Sequence, residues 1–113
     1  MKQRFAVKHS EESLDFLTEL GEKSRNKILY NIDRASYLND PELFKKLKNK
    51  IWEFRTLFQK THYRLLGFWD KTEENEKFVV VSHGFVKKTS KVPKKELAKA
   101  EKFRKNYFDQ KDI

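Results

Sequence analysis

Two arginines stand alone in runs that are otherwise apolar and aromatic: Arg55 in WEFRTLF and Arg64 in HYRLLGFW. A guanidinium stays protonated and presents a planar fork of donors that matches phosphate oxygens. Side chains alternate along strands, so the two can emerge on one side where their strands pair, subject to register. A third apolar run ends in HGFVKKTSKVPKKE, His83 to Glu96, with five lysines in fourteen positions. Lys87, Lys88 and Lys91 follow that run directly, and Thr89 and Ser90 can donate hydrogen bonds beside them. Together these residues have the chemistry of a grip on a phosphate backbone.

Each also has a plainer reading. Arg55 can pair with Glu53, and the lysine run can be a solvated turn before a helix. Lys94, Lys95, Lys99, Lys102 and Lys105 fall mostly on the outward face of that helix, where they serve solubility. His83 shares an alternation with Val79, Val81 and Phe85, which suits either a satisfied core histidine or a proton carrier. His9 and His62 look isolated. Without cysteine or a paired His/carboxylate spacing there is no metal site to read, and no serine or cysteine nucleophile has its usual company.

The elements that must position these groups are legible in outline. KQRFAVKH reads as a short strand with Phe5 and Val7 on one face. Ser10 caps a helix whose first turn is acidic; Leu14, Leu17 and Leu20 line its inner face, and Gly21 stops it. A second helix over Glu22 to Leu38 buries Ile28, Ile32 and Ala35, with Leu29 beside them. Asn39-Asp40-Pro41 predicts a short helix from Glu42 to about Lys48, with Leu43, Phe44 and Leu47 inward and Lys45, Lys46 and Lys48 outward. Three strands follow, Ile51–Phe58, His62–Trp69 and Lys77–Val86, close enough for antiparallel hairpins. The last, FVVVSHGFV, is apolar enough to be covered on both faces. A final helix from Pro93 to about Phe108 turns Leu97, Ala100, Phe103 and Tyr107 inward. The expected fold is α+β, an N-terminal strand and helical hairpin followed by a twisted antiparallel sheet and a C-terminal helix, with residues 1–113 as a single domain.

Charge sharpens the reading. Lys+Arg number 26 against 17 Asp+Glu, a net charge of +9, and residues 1–40 contribute none of it, with seven bases and seven acids. From Lys87 to Lys105 there are nine basic residues and two acidic ones. A field so lopsided favours a polyanionic partner, nucleic acid before an acidic protein. The absence of cysteine suits a reducing cytosol, and no apolar run of ~18 residues is present to span a membrane, so a cytoplasmic location is expected.

The stretches IWEFRTLFQKTHYRLLGFW and VVVSHGFVKKTSKVPKKELAKAEKFRKNYF resemble the phage-derived, HigB-like branch of the RelE/ParE superfamily of type II toxin–antitoxin toxins. The resemblance is carried by Trp52-Glu53-Phe54-Arg55, by Tyr63-Arg64, and by His83-Gly84-Phe85-Val86-Lys87-Lys88-Thr89-Ser90-Lys91-Val92-Pro93, and covers about Leu47 to Phe108. It implies the microbial RNase-like (RelE-like) fold and ribosome-dependent cleavage of mRNA in the A site without metal or cofactor. The ribose 2′-OH attacks the adjacent phosphate, and cationic side chains stabilise the phosphorane. Position by position it implies that Arg55 and Arg64 clamp the scissile phosphate. Lys87, Lys88 and Lys91 hold the strand, one of them assisting proton transfer, and His83 is the candidate acid or base. Lys46 and Lys48 steer RNA, with Thr89, Lys94 and Lys95 as further RNA or ribosome contacts. The implied partners are a cognate antitoxin, a helix-turn-helix protein encoded alongside, and mRNA on the ribosome, with operator DNA reached only through the antitoxin complex and no membrane. The acidic turn Asp70–Glu76 is an odd neighbour for RNA unless it points away, and Tyr107 is expected to pack rather than enter the site. The same fold also serves a ParE-like gyrase poison or a non-catalytic nucleic-acid-binding module, so both stand as alternatives.

Overall fold

A computed structural model describes residues 2–111. Five strands, β1 (Ala6–His9), β2 (Phe44–Lys46), β3 (Trp52–Phe58), β4 (Thr61–Asp70) and β5 (Phe78–Lys87), form one sheet in the order β1-β5-β4-β3-β2. β1 runs parallel to β5 and the other pairs are antiparallel. Helices α1 (Glu11–Glu19) and α2 (Glu22–Ala35) cover one face, and α3 (Lys94–Lys111) crosses part of the other. This is the α+β architecture of RelE-like proteins.

The two faces are filled differently. Under the hairpin lie Phe5, Leu17, Ile28, Ile32, Phe44, Phe54, Leu65, Val79 and Val81. Under α3 lie Ile51, Leu66, Phe68 and Val80, met by Leu97, Ala100, Phe103, Tyr107 and Phe108 of the helix. β5 supplies valines to both cores, as its continuous apolar run predicts. Ser10 caps α1 by accepting from the Ser13 N–H at 3.0 Å, and its hydroxyl donates to the Ser82 carbonyl at 2.6 Å. Gly21 is the N-cap of α2 rather than the stop of α1, whose C-cap is Leu20. Leu14 and Leu29 are exposed rather than buried, because each helix lays only a narrow stripe on the sheet.

The helix expected over Glu42 to Lys48 is strand β2. Asp40 does begin a turn, its carbonyl accepting from Leu43 and Phe44 at 3.0 Å and its carboxylate from the Glu42 N–H at 2.9 Å. The chain then extends, since pairing Phe44 with Phe54 stacks its ring between Phe54 (4.3 Å) and Trp52 (4.8 Å). That aromatic burial outweighs a few tenths of a kcal/mol of helix propensity per residue. Asn49 (φ 54°) and Lys50 (φ 67°) close the β2–β3 turn, and Gln59 (φ 48°) and Lys60 (φ 64°) the β3–β4 turn. Two successive residues at positive φ give each hairpin the twist its strands need.

The far end of α3 is fastened to the sheet through Asp70, which is fully buried. Its carboxylate accepts from Thr72 (N–H at 2.9 Å, hydroxyl at 2.6 Å) and from the Tyr107 hydroxyl at 2.6 Å, and Lys111 lies 3.2 Å away. Burial alone would push the Asp70 carboxyl up, but the hydrogen bonds from Thr72, Tyr107 and Lys111 hold it well below the usual carboxylate range. Its contribution to stability is therefore present above the unfolded value of ~3.9 and is lost as pH falls below that, towards the folded one. Burial and the bond to Asp70 push the Tyr107 phenol up to about 12. That contribution is intact below the unfolded value of ~10 and is lost as pH rises above it. Tyr107→Phe is expected to cost roughly 1.5–3 kcal/mol at pH 7, as for a hydrogen bond to a charged group. In denaturant unfolding the gap should close as pH rises through about 12.

Candidate active site

The α3 face of the sheet is only partly roofed, and the register fixes what lies on it. Three rows cross the strands. The first is Lys45–Glu53–Leu66–His83, the second Arg55–Arg64–Phe85, and the third Leu57–His62–Lys87. Arg55 and Arg64 are thus directly opposite one another on β3 and β4. Like charges in that position repel, and Glu53 compensates from the neighbouring row. Its Oε1 lies 3.4 Å from Arg55 Nε and its Oε2 lies 3.4 Å from Arg64 Nε.

Glu53 and Arg64 are buried, at 2% and 3% exposure, while the Arg55 side chain is 28% exposed at the sheet edge. None of Glu53 Oε2, Arg55 Nε and Arg64 Nε has a hydrogen-bond partner of good geometry among the described residues, so their attraction acts through space. Arg64 Nη1 donates to the Tyr63 carbonyl at 3.1 Å, and Arg55 Nη1 reaches the Pro41 carbonyl at 3.4 Å. Burial pulls the Arg64 guanidinium down from its ordinary value and Arg55 adds to this, while Glu53 opposes. Lys87 is likewise held below an ordinary lysine, first by burial and then by Arg64, Arg55 and Lys45, with Glu53 again opposing. The ion pair of Arg55 with Glu53 and the shared face with Arg64 therefore coexist.

His83 is placed otherwise than alternation suggests. β5 bulges at Ser82, with Gly67 opposite Val81 and Leu66 opposite His83, so the extra residue reverses the parity of the strand. His83 accordingly points with Phe85 towards α3, away from Val79 and Val81. It is 1% exposed, with Nδ1 3.0 Å from Ser82 Oγ and Nε2 3.1 Å from Glu96 Oε1. A carboxylate can only accept, so Nε2 carries the proton and Nδ1 accepts from the serine. Burial, and then Lys99, lower its pKa against the pull of Glu96 and Glu12. The ring ties β5 to the first turn of α3.

Lys88, Thr89, Lys91, Lys94 and Lys95 are exposed on the segment that leaves the third row and enters α3. The Thr89 hydroxyl donates to the Lys91 carbonyl at 2.7 Å. Lys46 and Lys48 are not brought to this face. Lys46 pairs with Trp52 on the opposite side, and Lys48 begins the β2–β3 turn. Lys45 takes their place, and reading β2 as a helix concealed it. His62, isolated in sequence, lies exposed beside Lys87. The acidic turn after Asp70 joins β4 to β5 at the other end of these strands, where Glu73, Glu74 and Glu76 line a cleft with Lys2, Arg4 and Lys71.

A five-stranded sheet backed by a helical hairpin on one face and crossed by a C-terminal helix on the other fits the RelE/toxin–antitoxin-like group. Within that group the chain belongs to the family described as phage derived protein Gp49-like, whose model matches residues 15–105. Membership implies an antitoxin partner. No curated protein matches the chain. Among the described residues no helix is long and apolar enough to cross a membrane.

Proposed function

We propose that this chain is the toxin of a type II module, of the HigB-like branch, and that it cuts translated mRNA in the ribosomal A site. The observation that carries the reading is the opposed pair Arg55 and Arg64 on the partly roofed sheet face, with Lys87 one row away. In the reaction the 2′-oxygen bonds to phosphorus as the P–O5′ bond breaks, leaving a 2′,3′-cyclic phosphate and a 5′-OH. The two guanidiniums neutralise charge building on the equatorial oxygens, and their fixed backbone positions supply alignment. Lys87, an ammonium pressed by its cationic neighbours, gives its proton to the departing 5′-oxygen. Lys88, Lys91, Lys94 and Lys95 line the path of the message or of ribosomal RNA. His83 has a structural place in this reading. An acidic segment of the antitoxin would lie over the same rows, and the two cores sharing one sheet support a single toxin domain; its place of action in this reading is the cytoplasm.

Primer extension on mRNA from cells expressing the chain tests it. Cuts inside translated frames, with 5′-OH ends, are expected. Intact messages with DNA breaks would instead identify a gyrase poison. Salt-sensitive RNA binding with no cleavage on ribosomes would identify a binding module.

A further inference from the structure

The rows contain clamps and a proton donor but leave open what takes the proton from the 2′-hydroxyl. Guanidinium and ammonium groups cannot accept it. Glu53 lies on this face, but it is buried between the two arginines whose charges it balances. His83 is closed off, with both ring nitrogens engaged. His9 sits on β1, with Nδ1 2.9 Å from Ser13 Oγ. His62 is different. It is exposed, stands directly between Leu57 on β3 and Lys87 on β5, and lies two residues from Arg64 on the same face of β4.

Resting on the nuclease reading above, we propose that His62 is the general base, taking the 2′-hydroxyl proton as the 2′-oxygen attacks phosphorus. The step balances: the O2′–P bond forms, the P–O5′ bond breaks, one proton moves to the imidazole and another moves from Lys87 to the 5′-oxygen. Register supports the division of labour, because His62 and Lys87 are cross-strand neighbours on one face and can reach the two apical oxygens from adjoining positions. Leu57, 58% exposed on the other flank, gives the ribose or base an apolar surface to lie against. The charged groups around the ring are Lys87 from β5, Arg64 on β4, Arg55 on β3 and Lys60 in the adjoining turn. All four are cationic.

The test is single-turnover cleavage on programmed ribosomes across pH, for the parent, His62→Ala and His62→Phe. The parent rate should rise with pH as an imidazole loses its proton and fall again when the Lys87 ammonium does. His62→Ala should lose roughly 10²–10³-fold in rate, should lose the acid limb, and should be rescued by added imidazole. Its ribosome binding and melting temperature should stay those of the parent, because the residue is exposed. The proposal is overturned if His62→Ala cleaves within about threefold of the parent, or keeps the acid limb, or if His62→Phe restores the rate as a stacking surface would. Arg64→Lys separates the two ideas. Loss of cleavage there, with His62→Ala unaffected, leaves the nuclease standing and removes only the base. A parent that releases no 5′-OH product removes both.

Discussion

Arg64→Lys is expected to lower the rate of cleavage on ribosomes by roughly 10²–10³-fold, the cost of removing one preorganised donor from a transition state. Lysine is the informative replacement. Arg64 is 3% exposed and faces Glu53, so alanine would leave a buried carboxylate half-balanced and a cavity beside it. Loss of folding would then be indistinguishable from loss of chemistry. Lysine keeps a positive charge near Glu53 but loses the planar fork that holds two phosphate oxygens at once. The melting temperature should fall by only a few degrees while the rate collapses. Arg55→Lys should cost less, since that side chain is 28% exposed at the sheet edge and already lends a donor to the Pro41 carbonyl. If Arg64→Lys cleaved translated mRNA at the parent's rate, the clamp would be wrong and the nuclease reading would lose its support.

The arginine pair and the lysine run were legible in the sequence because strand alternation fixes a face and both runs are unambiguous. The β5 core position was legible for the same reason, since an apolar run like FVVV has nowhere else to go. What was missed was set by particular pairings across the sheet. β2 carries a helix-start signal at Asp40-Pro41, and only the ring of Phe44 against Phe54 and Trp52 overrides it. Lys45 was hidden by that override. His83 was misplaced by one residue of bulge at Ser82, which no local pattern announces. His62 was passed over because its neighbours, Leu57 and Lys87, lie on other strands and are adjacent only once the register is known. The turns at Asn49-Lys50 and Gln59-Lys60 adopt positive φ without the Asn-Gly or Asp-Gly that would have marked them.

Glu53→Gln should be the most damaging isosteric change on this face, and for a reason distinct from catalysis. The carboxylate is 2% exposed and is the counter-charge to two arginines forced opposite one another by register. Removing one partner of a buried pair costs about 3–5 kcal/mol. Arg55 can turn partly to solvent, so the lower end, about 3 kcal/mol, is expected in denaturant unfolding. The face also becomes more cationic by one charge. Phosphate or sulfate should therefore stabilise the variant more than it stabilises the parent, because an anion between the guanidiniums replaces the lost carboxylate. Activity carries a second signature. Glu53 raises the Lys87 pKa against the pull of burial, Arg64, Arg55 and Lys45. Its removal lets Lys87 lose its proton earlier, so the alkaline limb of the cleavage profile should move to lower pH, with the acid limb unchanged if His62 is the base. A variant within 1 kcal/mol of the parent, insensitive to phosphate and with an unmoved alkaline limb, would show that Glu53 neither balances the arginines nor tunes the lysine. With stability lost, an anion restoring it and one limb displaced, the three rows act as a single electrostatic unit in which the buried carboxylate keeps two arginines poised for a phosphate.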